Sequence, residues 1–148
     1  HQSEWAGTNP EERIKPCLYL EHWISPDTWG EAQAILDLRM GTIWEHATAC
    51  PLCGVPAEST EHLVRTHQHQ GCTALRHERR EWEDAMGAML SAMPDEAERV
   101  HVKLGAPPCW LRRKHLKTPG DRAQLRTALR ATAQLARRIA ARIRARRS

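Results

Sequence analysis

The sequence predicts a mostly α fold, a small stapled helical domain followed by a long basic C-terminal helix. Three observations predict it. Alanine and arginine are abundant while β-branched residues are scarce, and the 148 residues include no Phe and one Tyr, a composition that favours helices over sheets. Apolar residues recur at three- and four-residue spacing in several stretches. The charge is segregated: residues 1–110 hold 9 Lys and Arg against 17 Asp and Glu, whereas residues 111–148 hold 13 against Asp121 alone. Such asymmetry reads as an acidic body carrying a basic interaction element. The expected organisation is a helical body over 1–104, a Pro/Gly linker over 105–120 and an Arg-rich helix over 121–148.

The elements follow in order. Asn9-Pro10-Glu11-Glu12 starts a short helix, with Pro at its first position and acids in its first turn, and Lys15-Pro16 stops it. Ser25 and Pro26 open a second helix whose apolar stripe is Trp29, Ala32, Ile35, Leu36 and Met40, with Gly41 as its end. Ser59 or Thr60 caps a short helix carrying His62, Leu63 and Val64, and Gly71 breaks the run. A longer helix is expected from Cys72 to Met93, weakest at Gly87. It buries Leu75, Trp82, Met86, Met89, Leu90 and Met93, with Arg76, Arg79, Arg80, Glu83 and Asp84 on its outer side. Pro94-Asp95 opens a further helical turn, and Val100 to Leu104 alternates weakly, as a strand does. Thr118 caps the last helix with Pro119 at its first position. Leu125, Leu129, Thr132, Ala136, Ile139 and Ile143 form its apolar seam, and Arg126, Arg130, Arg137 and Arg144 fall together on one side.

The residues with the most chemistry lie between Cys50 and Cys72. Cys50-Pro51-Leu52-Cys53-Gly54 is a C-x2-C turn, and His62 and His67 follow as H-x4-H. Thiolates and imidazoles at this spacing suit a tetrahedral Zn²⁺ with a closed, structural ligand set. The expected ligands are Cys50, Cys53, His62 and His67, with His69 and Cys72 in reserve. His67, at i+5 from His62, requires the helix to end between them. The plainer alternative is a buried, reduced Cys pair beside a surface His cluster. Five cysteines, three of them in this region, point to an intracellular, reducing compartment, with a Cys17–Cys109 disulfide as the alternative. The chain opens on His1 rather than Met, as a fragment or a processed chain does, and has no recognisable signal peptide or membrane span.

Leu36-Asp37-Leu38-Arg39-Met40-Gly41-Thr42, Cys50-Pro51-Leu52-Cys53-Gly54, Glu58-Ser59-Thr60-Glu61-His62-Leu63 and Leu75-Arg76 together resemble the zinc-binding segment on the C-terminal side of reverse transcriptases from non-LTR (LINE-like) retrotransposons. The resemblance spans residues 36–80. The family pattern is C-x2-C, seven or eight residues, then H-x4-C, so it implies Cys50, Cys53 and His62 as zinc ligands, with His67 where the family has a cysteine. It also implies a nucleic-acid-associated accessory segment rather than the polymerase itself.

No catalytic unit is recognisable. The paired aspartates of a polymerase motif and the G-x-x-x-x-G-K-[ST] phosphate loop are absent, and Glu61 beside His62 is the one candidate base. The expectation is therefore a non-enzymatic module that binds nucleic acid, RNA above all, through its phosphates. Arginine presents a weakly hydrated fork matched to phosphate oxygens. The residues expected to make these contacts are Arg112, Arg113, Lys114, Lys117, Arg126, Arg130, Arg137, Arg138, Arg142 and Arg144. The alternative is a structural subunit of a large complex, with the last helix buried between protein neighbours.

Overall fold

The computed structural model describes residues 29–40, 49–56, 60–111 and 118–147. Among these, five α-helices occur: α1 (Trp29–Met40), α2 (Glu61–Val64), α3 (Arg76–Met86), α4 (Glu96–Lys103) and α5 (Pro119–Arg147). Short 3₁₀ turns join them, and the described residues contain no strand beyond one isolated Ala49–Pro56 bridge. The short helix expected near Asn9, the Ser25 cap and Gly41 lie outside the described residues.

The 29-residue α5 is about 44 Å long at 1.5 Å per residue. Thr118 caps it, its Oγ1 accepting the Asp121 N–H at 3.1 Å, with Pro119 at N1 where a missing N–H costs nothing. The helix does not stand off from a body as an extension; it is the centre of the core. One flank packs Leu125, Leu129 and Ala133 against Ala32 and Ile35 of α1 and against Leu111. The other packs Ala131, Leu135, Ile139 and Ile143 into a cluster with Trp82 and Met86 of α3 and Val100 of α4. The whole expected seam is buried, and Ala128, Ala131 and Ala133 widen it. Thr132, polar and 1% exposed, is satisfied on both sides. It accepts the Trp82 indole N–H at 3.3 Å and donates to the Val102 carbonyl at 3.0 Å, so one hydroxyl joins three helices.

Residues 105–111 do not form a loose linker. Gly105 through Pro108 are buried, and Gly105 has φ +98° with the place for a Cβ only 2.6 Å from Ile35 Cγ2. Arg39 crosses from α1 to donate to the Leu104 carbonyl at 2.6 Å, and Trp110 donates to Gln124 of α5 at 2.9 Å. These contacts carry α1 and the 105–111 segment onto α5.

Three local expectations are corrected. Residues 100–104 are not a strand, because Val100 to Lys103 belong to α4. Asp95 occupies its N-cap position, Glu96 and Glu98 lie in its first turn, and Lys103 lies in its last, which suits the helix dipole at both ends. The helix expected from Cys72 to Met93 is cut into a 3₁₀ turn, α3 and a second 3₁₀ turn, with Gly87 at φ +58° ending the α-helical part. In α1, Trp29 and Met40 are exposed while Leu38 and Arg39 are buried. The buried stripe is rotated to Ala32, Ile35, Leu38 and Arg39, which places the Arg39 guanidinium at the Leu104 carbonyl.

Arg79, expected on the outer side of α3, is also buried, and its Nη1 reaches the Leu63 carbonyl at 3.5 Å. Lys103 is the third buried cation. Its Nζ donates to the Val64 carbonyl at 2.9 Å and lies 4.9 Å from the centre of the Trp82 ring, where the π face attracts it. Burial pulls its pKa from 10.5 down to about 8, against the opposing pull of Glu96. Between those values the unfolded chain holds a proton that the folded chain has lost, so stability rises with pH across that window. The expected gain from pH 8 to 10.5 is about 3 kcal/mol. Urea unfolding at several pH values measures it, and Lys103→Met should flatten that rise.

Candidate metal centre

Three short segments build the site. In the first, the Cys50 N–H donates to the Val55 carbonyl and the Gly54 N–H to the Cys50 carbonyl, both at 2.9 Å. Gly54 sits at φ +81°, a conformation that costs glycine little, so the turn closes tightly and presents Cys50 and Cys53 together. The second segment is α2, which places His62 beside them. The third is a loop that doubles back. Gly71 donates to the Thr66 carbonyl at 2.7 Å, and Cys72 donates to the His62 carbonyl at 2.8 Å. Gln70 takes the left-handed conformation at φ 65°, the only positive φ outside glycine among the described residues.

The loop brings Cys72, not His67, into the cluster. Possible ligand atoms from Cys50, Cys53, His62 and Cys72 all lie within 4.8 Å of one another. Cys50 Sγ is 3.7 Å from Cys72 Sγ, and Cys53 Sγ is 3.3 Å from His62 Nε2. This Cys3His group could hold a metal ion. The spacing is C-x2-C-x8-H-x9-C. His67 is excluded by the backbone: α2 ends at Val64 and Arg65 turns extended at ψ 150°, which sends His67 to the surface. His69 is also exposed, and its Nδ1 bonds the Thr66 hydroxyl at 2.9 Å.

The surroundings prepare His62 as a ligand. Its Nδ1 lies 2.9 Å from the Gln70 carbonyl. A carbonyl only accepts, so Nδ1 carries the proton and the Nε2 lone pair faces the cysteines. Burial lowers the His62 pKa despite that bond, and the charges of Arg79 and Arg65 lower it further, keeping the ring in its neutral, ligating form. Burial pushes the Cys72 thiol up to about 12; a bond from the Ala74 backbone opposes this, and negative charge on Cys50 adds to it. Cys53 is lower than usual: burial would raise it, but bonds from the Val55 and Thr73 backbone and the other two thiols outweigh that. All three sulfurs can be thiolates at once only with a cation among them; without one, Cys72 keeps its proton. Glu61 is buried and ion-paired to Arg65.

The basic residues divide into three groups. Arg112, Arg113, Lys114 and Lys117 lie outside the described residues. Arg138 and Arg142 reach across to α3, where they pair with Glu81 and, at 2.8 Å, with Glu78, while their side chains stay 42% and 45% exposed. Arg126, Arg130, Arg137 and Arg144 are exposed on α5. No family model matches the chain, and no curated protein or solved structure was found similar to it. No helix among the described residues is long and apolar enough to cross a membrane.

Proposed function

We propose that the chain is a zinc-stapled helical module that binds the nucleic-acid backbone, RNA above all, through the exposed arginine face of α5. Zinc is favoured by the donor set, three soft thiolates and one imidazole with all four positions taken by protein, as in structural sites. It is also favoured by distance. Zn–S bonds of about 2.3 Å and a Zn–N bond of about 2.0 Å give tetrahedral edges of roughly 3.8 Å between sulfurs and 3.5 Å between sulfur and nitrogen. Two of the six separations are 3.7 and 3.3 Å, and all four ligand atoms lie within 4.8 Å of one another. The resemblance across residues 36–80 is the reason for proposing a retroelement-derived accessory. A cysteine closes the cluster as in that family, but with nine residues between it and His62 rather than four.

The observation that carries the binding reading is the face of α5 turned away from the core. Arg126, Arg130 and Arg137 are exposed there and pair with no acid among the described residues, while Glu81 and Glu78 of α3 pair with Arg138 and Arg142. Arg126 to Arg137 covers about 16 Å of helix, held rigid by packing on two sides, so little order is lost on binding. The apolar seam is already covered by α1 and α3. This favours a charged ligand on the outer face over protein subunits burying the seam.

The test is a salt titration of binding to a single-stranded RNA. Affinity should fall steeply and linearly on a log–log plot. Replacing Arg126, Arg130 and Arg137 with glutamine should reduce the slope by about 2, at roughly 0.7 for each phosphate no longer neutralised. An unchanged slope would remove α5 from the interface.

A further inference from the structure

A cleft of about 460 Å³ lies against the loop that brings Cys72 to the cluster, with Gln68, His69 and Gln70 on one wall and Glu96, Ala97 and Val100 of α4 on the other. We infer that this cleft receives an unpaired guanine base, because it sets a half-committed carboxylate over an apolar floor and offers no free cation for a phosphate. The inference rests on the nucleic-acid reading above and names the base that the backbone contacts would leave free to be read.

The carboxylate of Glu96 ties the two walls together. Its Oε2 accepts the Thr66 N–H at 2.8 Å and the Thr66 hydroxyl at 3.1 Å. Its Oε1 has no partner among the described residues, although the side chain is only 16% exposed. One carboxylate oxygen with two lone pairs suits two adjacent donors. The Watson–Crick edge of guanine offers such a pair, N1–H and the exocyclic amine. Adenine and uracil each present one donor flanked by acceptors. Ala97 and Val100 give the ring an apolar surface, and the exposed His69 imidazole gives it a stacking partner. The Gln68 amide supplies a donor of the kind O6 accepts.

Charge decides against a phosphate in the same place. Arg65, which also lines the cleft, is ion-paired to Glu61, and Glu96 leaves the cleft negative. A base enters and its phosphate stays outside. Metal binding and base reading are joined through one residue, since Gln70 lines the cleft while its carbonyl holds His62.

The test uses the full chain with its metal and the nucleosides alone, which lack phosphate and so do not depend on the arginines. Guanosine should move the amide resonances of Gln68 to Gln70 and of Ala97, while adenosine and uridine should not. Glu96→Gln should weaken guanosine binding about tenfold or more, the usual loss for a bond to a charged acceptor. Gln68→Ala, at an exposed position that does not bear on Thr66, should weaken it less and leaves the fold intact as a second reading. Equal shifts from all three nucleosides, no shifts from guanosine, or full guanosine affinity in Glu96→Gln would overturn the inference. The Arg126/Arg130/Arg137 glutamine variant should bind RNA more weakly and with a shallower salt slope while its guanosine shifts are unchanged, so failure of the cleft and failure of the arginine face are distinguishable.

Discussion

Cys72→Ser should abolish high-affinity metal binding and unfold the chain around the cluster, whereas His67→Ala should leave both metal content and stability unchanged. The contrast follows from position. Cys72 is buried with its sulfur 3.7 Å from that of Cys50, while His67 is exposed on a 3₁₀ turn. Removing one of four ligands opens the site to water and leaves the remaining thiols crowded without full compensation, so affinity should fall by roughly 100-fold or more. A metal bound only by the folded chain adds its binding free energy to folding, on the order of 10 kcal/mol for structural zinc. Chelation should therefore cause loss of helical signal, not merely loss of an ion. Metal content by mass spectrometry and thermal unfolding by circular dichroism measure both effects. A Cys72→Ser protein that retains one tightly held zinc, or a His67→Ala protein that loses it, would reassign the fourth ligand.

Gly71→Ala is expected to be nearly as damaging, although it removes no ligand. A Cβ at Gly71 would lie 1.6 Å from the Arg65 carbonyl oxygen and 2.6 Å from that of Thr66. Both are backbone atoms, so no side chain can swing aside to make room. The hydrogen bond from the Gly71 N–H to the Thr66 carbonyl is what folds the loop back, and the alanine methyl would force it open. Cys72 would then be displaced from His62, whose carbonyl it bonds. Losing a loop that a close backbone approach dictates belongs among the largest single-site effects, about 4 kcal/mol or more. Gly30→Ala is the control, since nothing among the described residues lies within 4 Å of a Cβ there. Equilibrium unfolding of the two variants settles it, and similar stabilities would mean that the 66–71 loop is dispensable to the site.

Particular residues explain how far the sequence can be read. The seam of α5 is legible because a helix repeats every 3.6 residues and a long run of such spacing leaves one solution. Its Thr118 and Pro119 start is legible because capping is a local matter of orphan N–H groups. Cys50, Cys53 and His62 are legible from spacing alone. Cys72 is not, because its approach depends on Gln70 adopting a left-handed conformation and on Gly71 meeting the Arg65 carbonyl. The Gly71-Cys72 pair, echoing Cys53-Gly54, is the available signal. The burial of Arg39, Arg79 and Lys103 is not legible either. It rests on carbonyls of Leu104, Leu63 and Val64 that are distant in sequence.

The arginines of α5 divide the two contributions most clearly. That one side of the helix carries Arg126, Arg130, Arg137 and Arg144 follows from residue spacing, because side-chain direction in a helix is fixed by position. That Arg138 and Arg142 are taken by Glu81 and Glu78 follows only from α3 lying alongside. The chain alone therefore determined the helical class, the start and seam of α5, three of the four candidate ligands and the location of its positive charge, all consequences of short-range geometry. Tertiary structure decided the fourth ligand, the central place of α5 and which of its cations pair with acids of α3. These depend on which carbonyls and carboxylates distant segments bring within hydrogen-bond reach, and no local spacing encodes that.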